Sequence, residues 1–353
     1  MQTALHPILS NSGAQFREIA GWDVPESFGN VEAEYWALRR AAGIADLSPR
    51  AKLAVTGGDR VLFLHRMLSN EVKSLQPGQG NYCFLLNPQG HILADMNLLV
   101  QPGRVLLDCE PQEAAEIRRT LERFVVAADV KFEELTGRLG TIGVEGPLSR
   151  EVICPALGFE PPHMKSLAHI SPEGDPDFIV ARNAVSEAGF WVIAPQERLP
   201  GLWEKLAEAA GRLGGGPVGW AALETARIEA GKPRFGVDIE QRTIPQETGQ
   251  FRALSFTKGC YPGQEIVERV RSRGHLNRQL VGFTAPPDQV IRAGMKLLAQ
   301  DREAGHLTSA AFSPGSKRYI ALGYLRHEFT QPGKQVSAEG IPLEVGTLPF
   351  PRG

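Results

Sequence analysis

Cysteine is scarce in this chain. Four are scattered over 353 residues, Cys83, Cys109, Cys154 and Cys260, with no C-x-x-C pair and no Cys/His pair at ligand spacing. That scatter argues against structural zinc, a standard iron–sulfur ligand set from one chain and a disulfide framework, so no metal is expected. Long apolar runs are missing too: nothing approaches a bilayer span, and residues 1–12 lack a basic-then-apolar signal pattern, so a cytoplasmic protein with no membrane partner is expected. Charge of one sign is not in excess. With 38 Lys+Arg against 40 Asp+Glu the formal net charge is −2, which argues against general nucleic-acid binding. What remains is a globular composition, 42% hydrophobic and 22% charged, on a chain long enough for two or three domains.

The densest chemistry lies in Lys258-Gly259-Cys260-Tyr261-Pro262-Gly263-Gln264-Glu265. Pro262 presets φ at the second position of a turn and Gly263 supplies φ > 0 at the third, so Tyr261 to Gln264 reads as a type II turn. Ile266, Val267 and Val270 then fall on one face at helical spacing, which predicts a helix starting near Gln264. A thiol between an ammonium and a helix N-terminus is biased towards thiolate, the nucleophilic form. The alternative is a small buried hydrophobe, the commoner fate of a cysteine, and residue chemistry leaves the two open.

Upstream, Val31 to Ala42 reads as an amphipathic helix closed by Gly43, and Lys52 to Thr56 as a strand followed by a helix from the N-cap Asp59 to Asn70. Pro77 to Val100 reads as two antiparallel strands joined at Asn87 to Gly90. Asp95 interrupts the second of them. It is either edge-facing and solvated or aimed into a cavity, and solvation is the preferred reading because a carboxylate is seldom buried without a partner. Further on come a helix over Glu110 to Phe124, strands near residues 139–144, 178–182 and 190–194, and helices over residues 200–213 and 220–230. Gly214-Gly215-Gly216-Pro217 is not followed by Gly-Lys-Ser/Thr, so it reads as a C-cap and turn rather than a phosphate loop. The basic run Arg269, Arg271, Arg273, His275 and Arg278 suits either a solvated face or a seat for an anionic tail. From Gln279 onward short strands recur between Gly/Pro turns, predicting a small β-barrel or sandwich.

The run Lys258 to Glu265, with Arg273-Gly274 and Arg278, resembles the K-G-C-Y-x-G-Q-E signature of the YgfZ family, folate-binding proteins of iron–sulfur cluster assembly or repair related to the glycine cleavage T-protein. Arg227 to Pro233 with Gly236 and Asp238-Ile239 is similar to the R-x-E-A-G-x-P stretch of that superfamily, and Ala42 to Ser48 to its A-G-x-x-D-x-S element. The resemblance implies an α+β fold: a T-protein-like folate-binding body with antiparallel sheets and helices over residues 1–277, in two subdomains, and a C-terminal β-barrel over residues 278–353. It implies a reduced folate, tetrahydrofolate or a one-carbon derivative, held by Glu187, Arg227 and Asp95 with Tyr261 beside it, and chemistry at Cys260, Lys258 and Asp95. Iron–sulfur client or assembly proteins are the implied partners. Departures from the T-protein pattern are Ala94 in place of the first Asp of an acidic pair, and Pro49-Arg50 in place of His-Met. The implied function is folate-dependent iron–sulfur assembly or repair; the alternative is aminomethyl transfer of T-protein type.

Overall fold

The structure, a computed structural model, describes residues 1–161, 163–274 and 276–351; His275 of the basic run lies outside them, as does the side chain of Arg273. The chain divides into two compact units. The first comprises Met1–Leu86, Leu93–Leu223 and Arg252–Pro262, the second Asn87–Ile92, Glu224–Phe251 and Gly263–Gly353.

Two large sheets, besides the two-stranded pair Gln15–Ile19 and Trp22–Ser27, make the first unit. One has five strands in the order Gly80–Leu86, Ile92–Val100, Val105–Cys109, Ala51–Thr56, Lys131–Glu134. The other has six, ordered His169–Ile170, Ile179–Ala181, Gly189–Pro195, Leu139–Glu145, Gly43–Asp46, Gly216–Pro217; its last pair is parallel and the rest antiparallel. Side chains alternate across a strand, and in the central strands both faces are largely buried, so these read as mostly apolar runs. Leu53, Val55, Leu98, Val100 and Leu107 pack with Leu64, Ile117 and Leu121 of the helices Arg60–Met67 and Ala114–Glu122. Val144, Val192 and Ala194 pack with Val152, Trp203 and Leu206 of the helices Ser149–Leu157 and Leu199–Arg212. The residues of opposite phase, Ala54, Leu99, Leu106, Leu139, Ile179 and Ile193, form a further core shared by the two sheets. The sheets therefore lie face to face with an inner layer between them.

The local signals read from the sequence held only in part. Asn30 caps the helix Val31–Arg40 through its side chain. Gly43 does not end that helix. It opens a strand, where an added Cβ would meet Leu38 and Val218 at 2.6 and 2.8 Å, so close packing rather than a left-handed turn requires glycine. Asp59 precedes a helix that ends at Met67, and its carboxylate accepts from the Asp129 amide instead of capping. After Leu213 the chain turns through Gly214 at φ 78° and enters the short strand Gly216–Pro217, as expected of a C-cap and turn.

The second unit is built on a closed antiparallel barrel of six strands, in the order Arg278–Ala285, Arg318–Arg326, Arg302–Ser313, Lys296–Ala299, Gln335–Ala338, Ile341–Gly346. Its interior holds Phe283, Leu297, Leu307, Ala321, Leu325 and Leu343. The helix Gln264–Arg273 follows Gly263, whose φ of 79° and ψ of −3° are those of the third position of a type II turn.

Candidate active site

The inner layer between the two sheets is apolar at one end and polar at the other. Along the strand Ile92–Val100, Asp95 and Asn97 share the phase of Leu99; Asp108 shares that of Leu106, and Lys52 that of Ala54. Pairing brings them together, since Lys52 stands opposite Asp108 and Asn97 opposite Asp108 in register. Charged groups taken from water in this way must find partners. Asp108, 1% exposed, accepts from Arg50 Nε and Nη2 at 3.0 and 2.7 Å and from Asn97 Nδ2 at 3.0 Å. Lys52 Nζ donates to the Arg50 carbonyl at 2.7 Å and stands 3.9 Å from Asp108; burial pushes its ammonium down to about 8 against the pull of Asp108.

Asp95 is 7% exposed, which overturns the solvated reading. The partner that reading could not see is Tyr82 on the neighbouring strand, whose hydroxyl donates to Asp95 Oδ2 at 2.8 Å; Oδ1 has no hydrogen bond among the described residues. Burial pushes the Asp95 carboxyl up to about 6 despite the Tyr82 bond. Its backbone N–H donates to Glu113 Oε1 at 2.7 Å, and the other oxygen of Glu113 accepts from the Glu110 N–H at 3.1 Å. Glu113 therefore closes a capping box and fixes the backbone of Asp95 with one carboxylate. Burial, then the nearby Asp95, hold the Glu113 carboxyl well above its ordinary range. Arg252 lies over the Tyr82 ring, 4.7 Å from its centre.

Glu187 sits in a turn organised from beneath by Glu145. That carboxylate is fully buried and accepts four hydrogen bonds: from the Val185 and Ser186 amides at 2.9 and 3.0 Å, the Ser186 hydroxyl at 2.7 Å and the Trp191 indole at 3.2 Å. Glu187 itself is partly open, 3.7 Å from Arg39. The face of Trp191 carries the Arg50 guanidinium at 4.9 Å, so the Glu187 turn and the acids around Asp95 are joined through Glu145, Trp191 and Arg50.

Lys258 does something other than expected. Its ammonium turns inward onto the His65, Leu68 and Asn70 carbonyls, where the helix Arg60–Met67 runs out, and lies 4.9 Å from the Tyr261 ring centre. Burial pushes it down to about 8, and the thiol that feels its charge is the buried Cys83. Asn70 in turn donates to the Tyr82 and Arg252 carbonyls at 2.9 and 2.8 Å, so Lys258 braces the strand that carries Tyr82. Cys260 is exposed and Tyr261 is buried.

Arg227, in the second unit and expected among the folate ligands, is engaged within the protein. Nε and Nη2 donate to Glu224 at 3.0 and 2.6 Å, Nη1 to Asp238 and the Lys232 carbonyl at 2.6 and 2.5 Å, and Nη2 also to Ser309 at 2.7 Å. A guanidinium has five N–H donors and these bonds take all of them, leaving none to reach a ligand.

Tyr82, Lys52, Asp108, Glu110, Glu113 and Glu145 were not singled out from the sequence. The signal that finds several of them is phase: polar residues at alternate positions, in step with inward-facing apolar ones, on three strands that pair.

Two family models match most of the chain. The GCVT N-terminal domain matches residues 5–258, and the glycine cleavage T-protein C-terminal barrel domain matches residues 278–350. The chain belongs to the T-protein family. Aminomethyltransferases from Caldanaerobacter subterraneus subsp. tengcongensis and Streptomyces coelicolor are 27% and 28% identical to it, over 95% and 99% of this chain and 90% and 97% of theirs. The crystal structure of glycine cleavage system aminomethyltransferase T from Bartonella henselae superposes with a TM-score of 0.91 at 27% identity, covering 99% of this chain and 98% of that one. The fold is thus the T-protein fold, mixed helices and sheets with a closed C-terminal barrel. The aminomethyltransferase relatives support the alternative functional expectation over the iron–sulfur one.

Proposed function

We propose that this T-protein relative is a cytoplasmic aminomethyltransferase that moves a one-carbon unit from an aminomethyl group on a carrier protein to tetrahydrofolate, releasing ammonia and the carrier thiol. The observation that carries the reading is Asp95: a buried carboxyl, oriented by Tyr82 and Glu113, with one oxygen left for a substrate. A reduced folate fits the donor set. Glu187, in a turn fixed by Glu145, suits the amino and ring N–H groups of a pterin, to which a carboxylate can accept two parallel bonds. The folate supplies the nitrogens that take the carbon. Asp95 accepts the proton that its N–H loses, in a setting where burial keeps proton exchange possible near neutral pH. The test is formation of methylene-tetrahydrofolate and ammonia from an aminomethyl-loaded carrier. Asp95→Asn is expected to slow it by about 10²–10⁴-fold with folate binding retained, and no product from the wild type with active carrier removes the reading.

A YgfZ-type role with iron–sulfur partners is a second reading, favoured by the exposed thiol of Cys260 within its octapeptide. Full support of cluster-enzyme activity by Cys260→Ser, in cells lacking the native gene, would exclude it.

A further inference from the structure

We propose that Lys258 is a positioning residue: its ammonium pins the stretch Leu68-Ser69-Asn70 to the edge strand Gly80–Leu86, and through that stretch sets where the Tyr82 hydroxyl meets Asp95. Its bearing on carbon transfer rests on the aminomethyltransferase reading; the hold on Tyr82 does not.

The pin starts from a helix end. The last carbonyls of a helix have no partner inside it. Beyond Met67 the chain has little access to water that could serve them, since Leu68 and Ser69 are fully buried and Asn70 nearly so. Lys258 Nζ has three N–H donors, and they go to the carbonyls of His65, Leu68 and Asn70, the last at 3.2 Å. The ammonium is thereby saturated, with no donor left for a substrate or for the Cys260 thiol, and its charge also suits a helix C-terminus.

The stretch it fixes runs antiparallel along the outer edge of the five-stranded sheet, with Leu68 opposite Leu85. The Ser69 N–H donates to the Phe84 carbonyl at 3.0 Å, and the Ser69 hydroxyl accepts from the Phe84 N–H at 2.9 Å. Asn70 Nδ2 donates to the Tyr82 carbonyl at 2.9 Å and to the Arg252 carbonyl at 2.8 Å, so one amide links the two backbones. Ser69 ties down the same neighbour: its hydroxyl donates to the Ala253 carbonyl at 2.6 Å and its carbonyl accepts from the Ser255 N–H at 3.0 Å. The Arg252 guanidinium lies over the Tyr82 ring, and the Phe84 ring meets that ring edge-on with centres 5.5 Å apart. Backbone, ring face and ring edge of Tyr82 are therefore set by residues that the pin holds, and its hydroxyl must keep a 2.8 Å bond to Asp95. Without the ammonium three carbonyls lose their donor, and the stretch has to open towards water to replace it.

The folate-free full chain is labelled with ζ-¹³C tyrosine, and its five tyrosine resonances are read by NMR, with Tyr82→Phe assigning Tyr82. Asp95→Leu gives the position of a Tyr82 phenol that has lost its acceptor. Lys258→Met is expected to move the Tyr82 resonance in that direction while those of Tyr35, Tyr319 and Tyr324 stay in place. Lys258→Gln, which keeps N–H donors but neither the charge nor the reach, should fall between, and it stands in should the Met variant fail to fold. A Tyr82 resonance at its wild-type position in a folded variant overturns the proposal, and so does a displacement shared by all five tyrosines, the mark of general loosening. In the transfer assay Lys258→Met should lower kcat by up to about 10²-fold with KM for tetrahydrofolate little changed, the effect of misplacing a group at the reacting centre. A raised KM at full kcat also overturns it. A displaced Tyr82 resonance in a protein whose wild type transfers no carbon supports the pin and removes the aminomethyltransferase reading instead.

Discussion

Two arginines that pair with buried acids, one in each unit, are arranged on opposite principles. Around Arg227 every bond is closed: its five donors are taken, and its partner Asp238, fully buried, also accepts from the Arg234 amide and from Thr308 and Ser309. Around Arg50 the bonds stop short. Nε, Nη1 and Nη2 engage two acids, and the neighbouring carboxyl of Asp95 keeps an oxygen without a partner. A saturated cluster has nothing left to offer a ligand and acts as a brace. An unsaturated one is where chemistry can happen.

Substitutions can break or sharpen that contrast. The largest stability loss is expected for Arg227→Met, about 3–5 kcal/mol, because the fully buried Asp238 loses its cation. Urea unfolding measures it, and a loss under about 1 kcal/mol would mean the cluster is no brace. Arg50→Met should cost less, about 1–3 kcal/mol, since Asn97 and Lys52 remain on Asp108.

Asp95→Asn should go the other way at neutral pH. The folded carboxyl sits near 6 against an ordinary value of 3.8, so its protonated form is favoured by folding. That contribution is present in full below the ordinary value and is lost as pH rises through the folded one. The variant should therefore gain on the wild type between pH 4 and 6, by on the order of 1 kcal/mol after loss of part of the Tyr82 bond, and the difference should level off above. A gain that grows towards acid would contradict the buried carboxyl. The smallest stability change belongs to Glu187→Gln, within about 0.5 kcal/mol because the residue is partly open, while tetrahydrofolate affinity measured by calorimetry falls about tenfold.

The barrel was legible in the sequence because its strands are short, alternate cleanly and are punctuated by Gly and Pro; the turn at Gly263 and the helix after it were legible from two residues and a spacing. The polar layer was not. An aspartate in an apolar strand looks solvated until its pairing is known, and Tyr82, Glu113 and Arg50 reach Asp95 from other parts of the chain. Resemblance placed Arg227 among the folate ligands, but a motif carries no count of hydrogen bonds already made. Lys258 and Cys260 were read as a pair from their spacing, whereas the lysine's contacts run to carbonyls nearly two hundred positions earlier.

The alternation of the strand Ile92–Val100 has a consequence for insertions and deletions. Asp95 and Asn97 face the inner layer while Ala94, Met96 and Leu98 belong to the helix-covered core. One residue added or removed after the turn at Asn87 to Gly90 would reverse both sets together, placing carboxylate in the helix core and methyl groups where the acid should be. A change of two would keep the faces and only shift the acid along the strand. Length variation in this hairpin should therefore be tolerated in even steps, and a frame of two residues, rather than the identity of any one, guards the position of the reactive carboxyl.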